Sequence, residues 1–356
     1  MLIRRLEVSN VRSIRHTSLH PAPGLNEFVG GNGAGKTSLL EALHVLAYGR
    51  SFRARVRDGL VRSGEDALSI FCEWRDAEDA SLRRAGLRHA GSTWQGRLDG
   101  AAVSHLGELC AAFMVVCFEP GSHALVSGTG EPRRRFMDWG LFHVEPGFLA
   151  LWRRYSRTLK QRNSLLKSGA PRGHLEAWDH ELADAGETLT TRRELYLARL
   201  HEGLAPILGH IAPMLGDVAM RFEPGWRRGE ISLADALLLA HDRDRLVGHT
   251  TVGPHRADWR LSFAAAPHGE SLSRGQAKLA ALACLLAQAR DCAETRGGWP
   301  AIALDDLASE LDPGHRRRVL ETLAGTGAQV FLTGTEGTGA PGATLFHVEH
   351  GQIIPA

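Results

Sequence analysis

The sequence predicts an α/β fold whose parallel sheet is interrupted along the chain by an inserted, mainly helical second domain or short arm. Three observations predict it. An apolar segment, Leu25 to Val29, runs into a glycine-rich loop, Gly30-Gly31-Asn32-Gly33-Ala34-Gly35-Lys36-Thr37, and the loop runs into the helix formers Ser38 to Ala47. Far downstream, Pro300 to Leu304 is continuously apolar and ends in Asp305-Asp306, as suits a strand at the buried centre of a parallel sheet. Between the two, from about Pro132 to Ala240, apolar residues fall at helical spacing. The expected organisation is an N-terminal lobe over residues 1–131, an inserted arm over 132–240 and a C-terminal lobe over 241–356.

The opening run Leu2-Ile3-Arg4-Arg5-Leu6-Glu7-Val8 reads as an edge strand. The loop that follows fits Gly-x4-Gly-Lys-Thr in the strand-loop-helix setting that makes it a phosphate cradle. The backbone amides of Gly30, Gly31, Asn32, Gly33, Ala34 and Gly35 can turn inward, and the helix N-terminus at Lys36, Thr37 and Ser38 adds unpaired N–H groups. Lys36 supplies a point charge for the β- and γ-phosphates of ATP, and Thr37 a hydroxyl for Mg²⁺. A mobile glycine-rich surface turn is the bland alternative. Phe71 to Trp74 and Ala112 to Phe118 read as further strands, the second buried.

In the C-terminal lobe, Asp305 can hold Mg²⁺ and Asp306 can orient or deprotonate the attacking water. An acidic helix cap competes with that assignment. Leu272-Ser273-Arg274-Gly275-Gln276 opens a long apolar helix, Ala277 to Arg290. Ser273, Gly275 and Gln276 match the signature motif of ABC-type ATPases, and Ser309-Glu310-Leu311-Asp312 matches their D-loop with Asp312. Signature and phosphate loop of one head cannot reach the same nucleotide, so this set predicts an ATP-dependent homodimer in which the signature acts in trans. Strands are expected at Gln329 to Thr333 and at Thr344 to Val348.

Within the insertion, Leu175, Trp178, Leu182, Ala185 and Leu189 repeat at alternating spacings of three and four. Leu197, Leu200, Leu204, Ile207, Leu208 and Ile211 continue apolar spacing to Pro213. Ordinary helix packing suffices for both. Residues 131–172 hold ten Lys and Arg against three acids, on a chain of net charge only +2. Arg153, Arg157 and Lys160 fall on one helix face. Together with Arg133 and Arg134 they are the candidate DNA contacts, set against a merely solvated surface.

Composition excludes other classes. The 43% hydrophobic and 23% charged residues are ordinary for a folded soluble domain. No apolar run reaches the length of a membrane span, and Met1 to Arg5 has no secretory core, so a cytoplasmic protein with no membrane partner is expected. The five cysteines lack metal-ligand spacing and read as reduced core residues, and the 18 histidines show no zinc motif.

Taken with these motifs, several blocks make the chain resemble the RecF family over nearly its whole length. They are Gly49-Arg50-Ser51-Phe52-Arg53, Arg133 to His143, Leu159 to Asn163, Gly253-Pro254-His255-Arg256-Ala257-Asp258, Leu272 to Gln276 and Asp305 to Asp312. The resemblance implies an ABC-type head related to SMC proteins without their long coiled coil. It also implies an ATP-dependent dimer that acts with RecR and RecO at single-strand/double-strand junctions of gapped DNA and promotes RecA loading.

Two departures stand out. Gly121, after Cys117-Phe118-Glu119-Pro120, occupies a place where the family usually carries an acid. Thr333-Gly334-Thr335 stands where transporter-type heads have a switch histidine. With Asp306 in place of the usual glutamate, slow, DNA-stimulated hydrolysis is expected, since a shorter carboxylate reaches the water less well. Competing readings are a DNA clamp that holds ATP without hydrolysing it and the ATPase subunit of a transporter.

Overall fold

A computed structural model of the 356-residue chain describes residues 1–53, 59–76, 80–266 and 272–356. Two compact units emerge, one of Met1–Ser122, His210–Ala212 and Arg274–Ala356, the other of His123–Gly209 and Pro213–Ser273.

The first unit holds two six-stranded sheets. Strands β1 (Leu2–Val11), β2 (Ile14–Leu19), β3 (Leu25–Val29), β4 (Ala67–Arg75), β5 (Arg83–Ala90), β6 (Thr93–Leu98), β7 (Ala101–Ala102) and β8 (Val115–Phe118) precede the insertion. The inserted unit carries β9 (Val218–Glu223) and β10 (Asp258–Phe263); β11 (Ala301–Leu304), β12 (Val330–Gly334), β13 (Thr344–Glu349) and β14 (Gln352–Pro355) complete the first unit. One sheet is antiparallel in the order β2-β1-β4-β5-β6-β7. Its strands alternate, with Leu68, Ile70, Cys72 and Trp74 of β4 inward and their neighbours outward. The other has the order β14-β13-β3-β12-β11-β8, parallel from β13 to β8. Every residue of β8, β11 and β12 is buried, because helices α1 (Lys36–Tyr48) and α8 (Arg274–Arg296) pack on this sheet. Phe28 stacks between Phe331 and Phe346 at its centre, with ring centroids 6.0 and 4.9 Å away.

β1 is not the edge strand that its sequence suggested: it lies between β2 and β4. The turn into β2 carries no glycine or proline. Asn10 and Arg12 adopt positive φ instead, and Arg12 is pinned by Glu41 through two hydrogen bonds of 3.0 and 2.9 Å. None of the five cysteines, all among the described residues, forms a disulfide.

The inserted unit is built on α3 (Ala124–Ser127), α4 (Gly130–Val144), α5 (Phe148–Lys167), α6 (Arg172–Ile211) and α7 (Leu233–Val247); α2 (Gly107–Ala112), α9 (Leu307–Glu310) and α10 (Pro313–Ala324) belong to the first unit. The two apolar runs predicted in the insertion are one 40-residue helix, α6. Leu175, Leu182, Ala185, Leu189, Leu200, Leu204 and Leu208 form its buried stripe. The insertion is also longer than 132–240. Contact boundaries place it from His123 to Ser273, because β10 pairs with β9, β10 packs on α4, and α7 packs on α5. Gly253 to Asp258, for which sequence offered no more than a turn, is therefore part of the insertion.

That block anchors a buried polar network. Gly253, at φ 120°, donates to Gly225 O, and Pro254 O accepts from Arg193 Nη1 at 2.7 Å. His255 meets Tyr155 Oη at 2.8 Å and Thr250 O at 3.0 Å through its two ring nitrogens. Burial lowers its pKa to about 4, which fits a neutral ring donating to the carbonyl and accepting from the tyrosine. Asp258 takes two hydrogen bonds from Arg133, at 2.6 and 2.8 Å. Beside it, the fully buried Arg162 binds Asp179 at 2.5 Å, Asp244 at 2.6 Å and Thr250 Oγ1 at 2.8 Å.

Candidate nucleotide-binding site

The phosphate loop leaves β3 and enters α1 as its sequence demands. Gly33 and Gly35 sit at φ 78° and 119°, and a Cβ on Gly30 would lie 2.1 Å from Val348 O, so the loop tolerates no side chain there. Gly30 N donates to Gly334 O, and Gly351 N donates to Ala34 O at 2.7 Å, so β12 and the β13–β14 turn brace the loop. Lys36 is buried and its Nζ donates to the carbonyls of Gly30 and Gly31 at 2.6 and 2.8 Å. Its ammonium is thus held over the concavity that the loop encloses.

The acids of the C-terminal lobe arrive at the same place. β11 runs parallel to β8 and β12, and Asp305 N donates to Phe118 O at 2.8 Å. Asp305 is 3% exposed, and its Oδ1 accepts from Thr37 Oγ1 at 2.9 Å and from Thr333 Oγ1 at 2.8 Å. Burial pushes its carboxyl above the usual range; the two hydroxyls and the charge of Arg53 oppose that, and the neighbouring Asp306 adds to it. Asp306 is in the left-handed region, at φ 50° and ψ 45°, and its Oδ1 is buried without a hydrogen-bond partner among the described residues. Backbone strain beside an unsatisfied carboxylate oxygen is the pattern of a functional position. The rival view of Asp305-Asp306 as a helix cap fails locally, since neither side chain caps α9.

Thr37 and Asp305 together offer a hydroxyl and a carboxylate oxygen, the hard, oxygen-only donor set of Mg²⁺, which takes few protein ligands and completes its shell with water and phosphate. Asp312 caps α10, accepting from Gly314 N at 2.9 Å and His315 N at 3.1 Å. Lys278 on α8 forms an ion pair with Glu310, which ties the helix behind the signature motif to the D-loop. Ser273 and Gly275 are exposed at the start of α8, with Gln276 half-buried.

The candidate DNA contacts divide. Arg133 is 5% exposed and spent on Asp258, a fastener of the insertion, while the half-buried Arg134 donates to Ala257 O at 2.8 Å. Charge counting could not reveal this because both partners lie more than 120 residues away. Arg153, Arg157 and Lys160 are all exposed on α5, and none has an acid within salt-bridge distance among the described residues. The residue that sequence reading missed is Thr333, noted only as standing in for an absent histidine. Its one legible signal was a hydroxyl at the tip of a predicted strand.

A family model described as the RecF/RecN/SMC N terminal domain matches residues 2–340. The chain belongs to the RecF family. It is 62% identical over 361 residues to the DNA replication and repair protein RecF of Stenotrophomonas maltophilia (strain R551-3), covering 99% of each chain. Against RecF of Shewanella pealeana (strain ATCC 700345 / ANG-SQ1) the identity is 37%, again covering 99% of each. A solved structure of the recombination mediator protein RecF with ATP, in the RecFOR pathway, superimposes with a TM-score of 0.89 at 26% identity, over 100% of this chain and 97% of that one. An Smc head bound to the C-winged helix domain of ScpA gives 0.61 at 14% identity over 100% and 97%, a likeness of fold alone. The RecF family is one of DNA replication and repair proteins with an ABC-type ATPase head, the fold described above. Among the described residues no helix is long and apolar enough to cross a membrane.

Proposed function

We propose that this chain is an ATP-dependent DNA-binding switch of recombinational repair and replication restart. ATP binds at Gly30 to Ser38 with Mg²⁺ held by Thr37 and Asp305. Two heads close on the nucleotide, each offering Ser273, Gly275 and Gln276, with Asp312 nearby, to the partner's phosphates. Bound there, Mg²⁺ would supply charge to offset that of the phosphates; Lys36 draws the β- and γ-phosphates into the loop, and Asp306 orients the attacking water and takes its proton. Hydrolysis is slow and DNA-stimulated, and it loosens the dimer. The closed dimer binds single-strand/double-strand junctions of gapped duplex through Arg153, Arg157 and Lys160, and acts with RecR and RecO to promote RecA loading. The observation that carries this reading is the convergence of Lys36, Thr37, Asp305 and Asp306 from the two ends of the sequence onto one group of strand tips.

The test is fluorescence anisotropy on a gapped duplex, with and without ATP, across a salt series, with mass followed by light scattering. ATP should raise affinity together with a shift to dimer mass. An Arg153→Ala/Arg157→Ala/Lys160→Ala variant should lower the salt slope by up to about three. ATP without effect on either affinity or mass would overturn the switch, and an unchanged slope would return α5 to ordinary solvated surface.

A further inference from the structure

Thr333 is the penultimate residue of strand β12 and stands where a transporter-type head would carry its switch histidine. The residue is 1% exposed, on a strand buried at every position, so its hydroxyl must find partners inside the protein. It finds two. Oγ1 donates to Asp305 Oδ1 at 2.8 Å and accepts from the backbone N–H of Asp306 at 2.9 Å. We propose that Thr333 is the positioning residue of the ATP site, fixing both acids at once.

Each half of the contact has a consequence. Asp305 Oδ1 is gripped from two sides, by Thr333 and by Thr37 of the phosphate loop, which sets the plane of the carboxylate. Its second oxygen takes no hydrogen bond among the described residues and stays available. Asp306, the next residue, sits in a left-handed conformation, uncommon for a residue with a side chain, and that conformation sets the direction of its side chain. The bond from Asp306 N–H to Thr333 holds it there; without the hydroxyl the backbone could relax and swing the carboxylate away. The next residue of β12, Gly334, accepts from Gly30 N at 3.3 Å, so one strand tip touches the phosphate loop and both acids.

The inference rests on the hydrolytic reading above, and the experiment separates the two. Thr333→Val keeps the shape and deletes the donor and acceptor; Thr333→Ser keeps both. In the full-length protein, Thr333→Val should lower ATP turnover by about 10- to 100-fold, the cost of displacing a reacting group by about 1 Å. Its affinity for ATP should stay within about threefold of wild type, and Thr333→Ser should recover turnover to within about threefold of wild type. Turnover of Thr333→Val within twofold of wild type would overturn the inference, as would equal losses in the Val and Ser variants. A merely structural role would instead weaken ATP binding in step with turnover. Asp306→Asn serves as the reference. If it hydrolyses ATP like wild type, the hydrolytic reading itself fails; if it is inactive while Thr333→Val is not, only the role of Thr333 fails.

Discussion

The nucleotide site and the Gly253–Asp258 network are both buried polar clusters made of the same residue types, yet they do opposite things. Around Gly253–Asp258 the protein's own groups answer one another: Arg133 meets Asp258, Arg193 meets Pro254 O, and both ring nitrogens of His255 are engaged. At the nucleotide site the groups converge and remain incomplete. Lys36 rests on two carbonyls with no acid, and Asp306 Oδ1 is buried without a partner among the described residues. A buried charge matched by its own chain holds a fold together; one left without a counter-charge is available to a ligand. Polarity and burial alone do not distinguish a site from a fastener, whereas charge pairing does: Arg162 Nη2 also lacks a hydrogen-bond partner among the described residues, yet its guanidinium is matched by two carboxylates.

That contrast breaks most visibly at Arg162. Arg162→Met strands the carboxylates of Asp179 and Asp244, and should lower stability to urea by about 3–5 kcal/mol. A loss under about 1 kcal/mol would show that the network is not a fastener. Lys36→Ala is the complementary case. Its partners are neutral carbonyls, so stability should change by less than about 1 kcal/mol. ATP affinity by calorimetry should fall about 100-fold, the worth of one or two charge-assisted hydrogen bonds. Retained ATP binding would remove Lys36 from the phosphate site.

The third comparison is in pH, where each region holds a buried histidine. Burial lowers His255 to about 4 and His44, in the first unit, to about 3. Both lie below the unfolded value of about 6.5, so the unfolded chain binds more protons between those limits. The stabilising contribution is therefore complete above about pH 6.5 and is lost as pH falls through about 4 for His255 and about 3 for His44. Each should cost about 1.4 kcal/mol per pH unit within its window. Urea midpoints at pH 7.5, 6 and 5 check this. His255→Asn, which cannot titrate, should show a shallower slope than wild type, and an unchanged slope would mean that His255 is not held neutral.

The nucleotide loop was legible because its function is local. Eight consecutive residues, a strand before and a helix after, carry the geometry with them, and β3 falls on Leu25–Val29 as predicted. Asp305-Asp306 was legible for the same reason, as acids at the tip of an apolar strand. The basic face of α5 was half legible. Helical spacing correctly grouped Arg153, Arg157 and Lys160, but no local rule could tell them from Arg133 or Arg162, which are buried against acids 125 and 82 residues away. The hairpin of β9 and β10 went unseen because its strands are separated by α7, with no turn signature joining them.

By itself, then, the sequence determined what is periodic or contiguous: the phosphate loop, the acidic strand, the helical character of the insertion and its approximate place. Tertiary structure alone decided which charges are spent on one another, where the insertion ends, and that a threonine on β12 bonds to both acids that follow β11. The physical reason is reach. Backbone geometry and helix or strand spacing act over a few residues, whereas desolvation, ion pairing and hydrogen-bond satisfaction depend on whatever the fold brings into contact, at any separation along the chain.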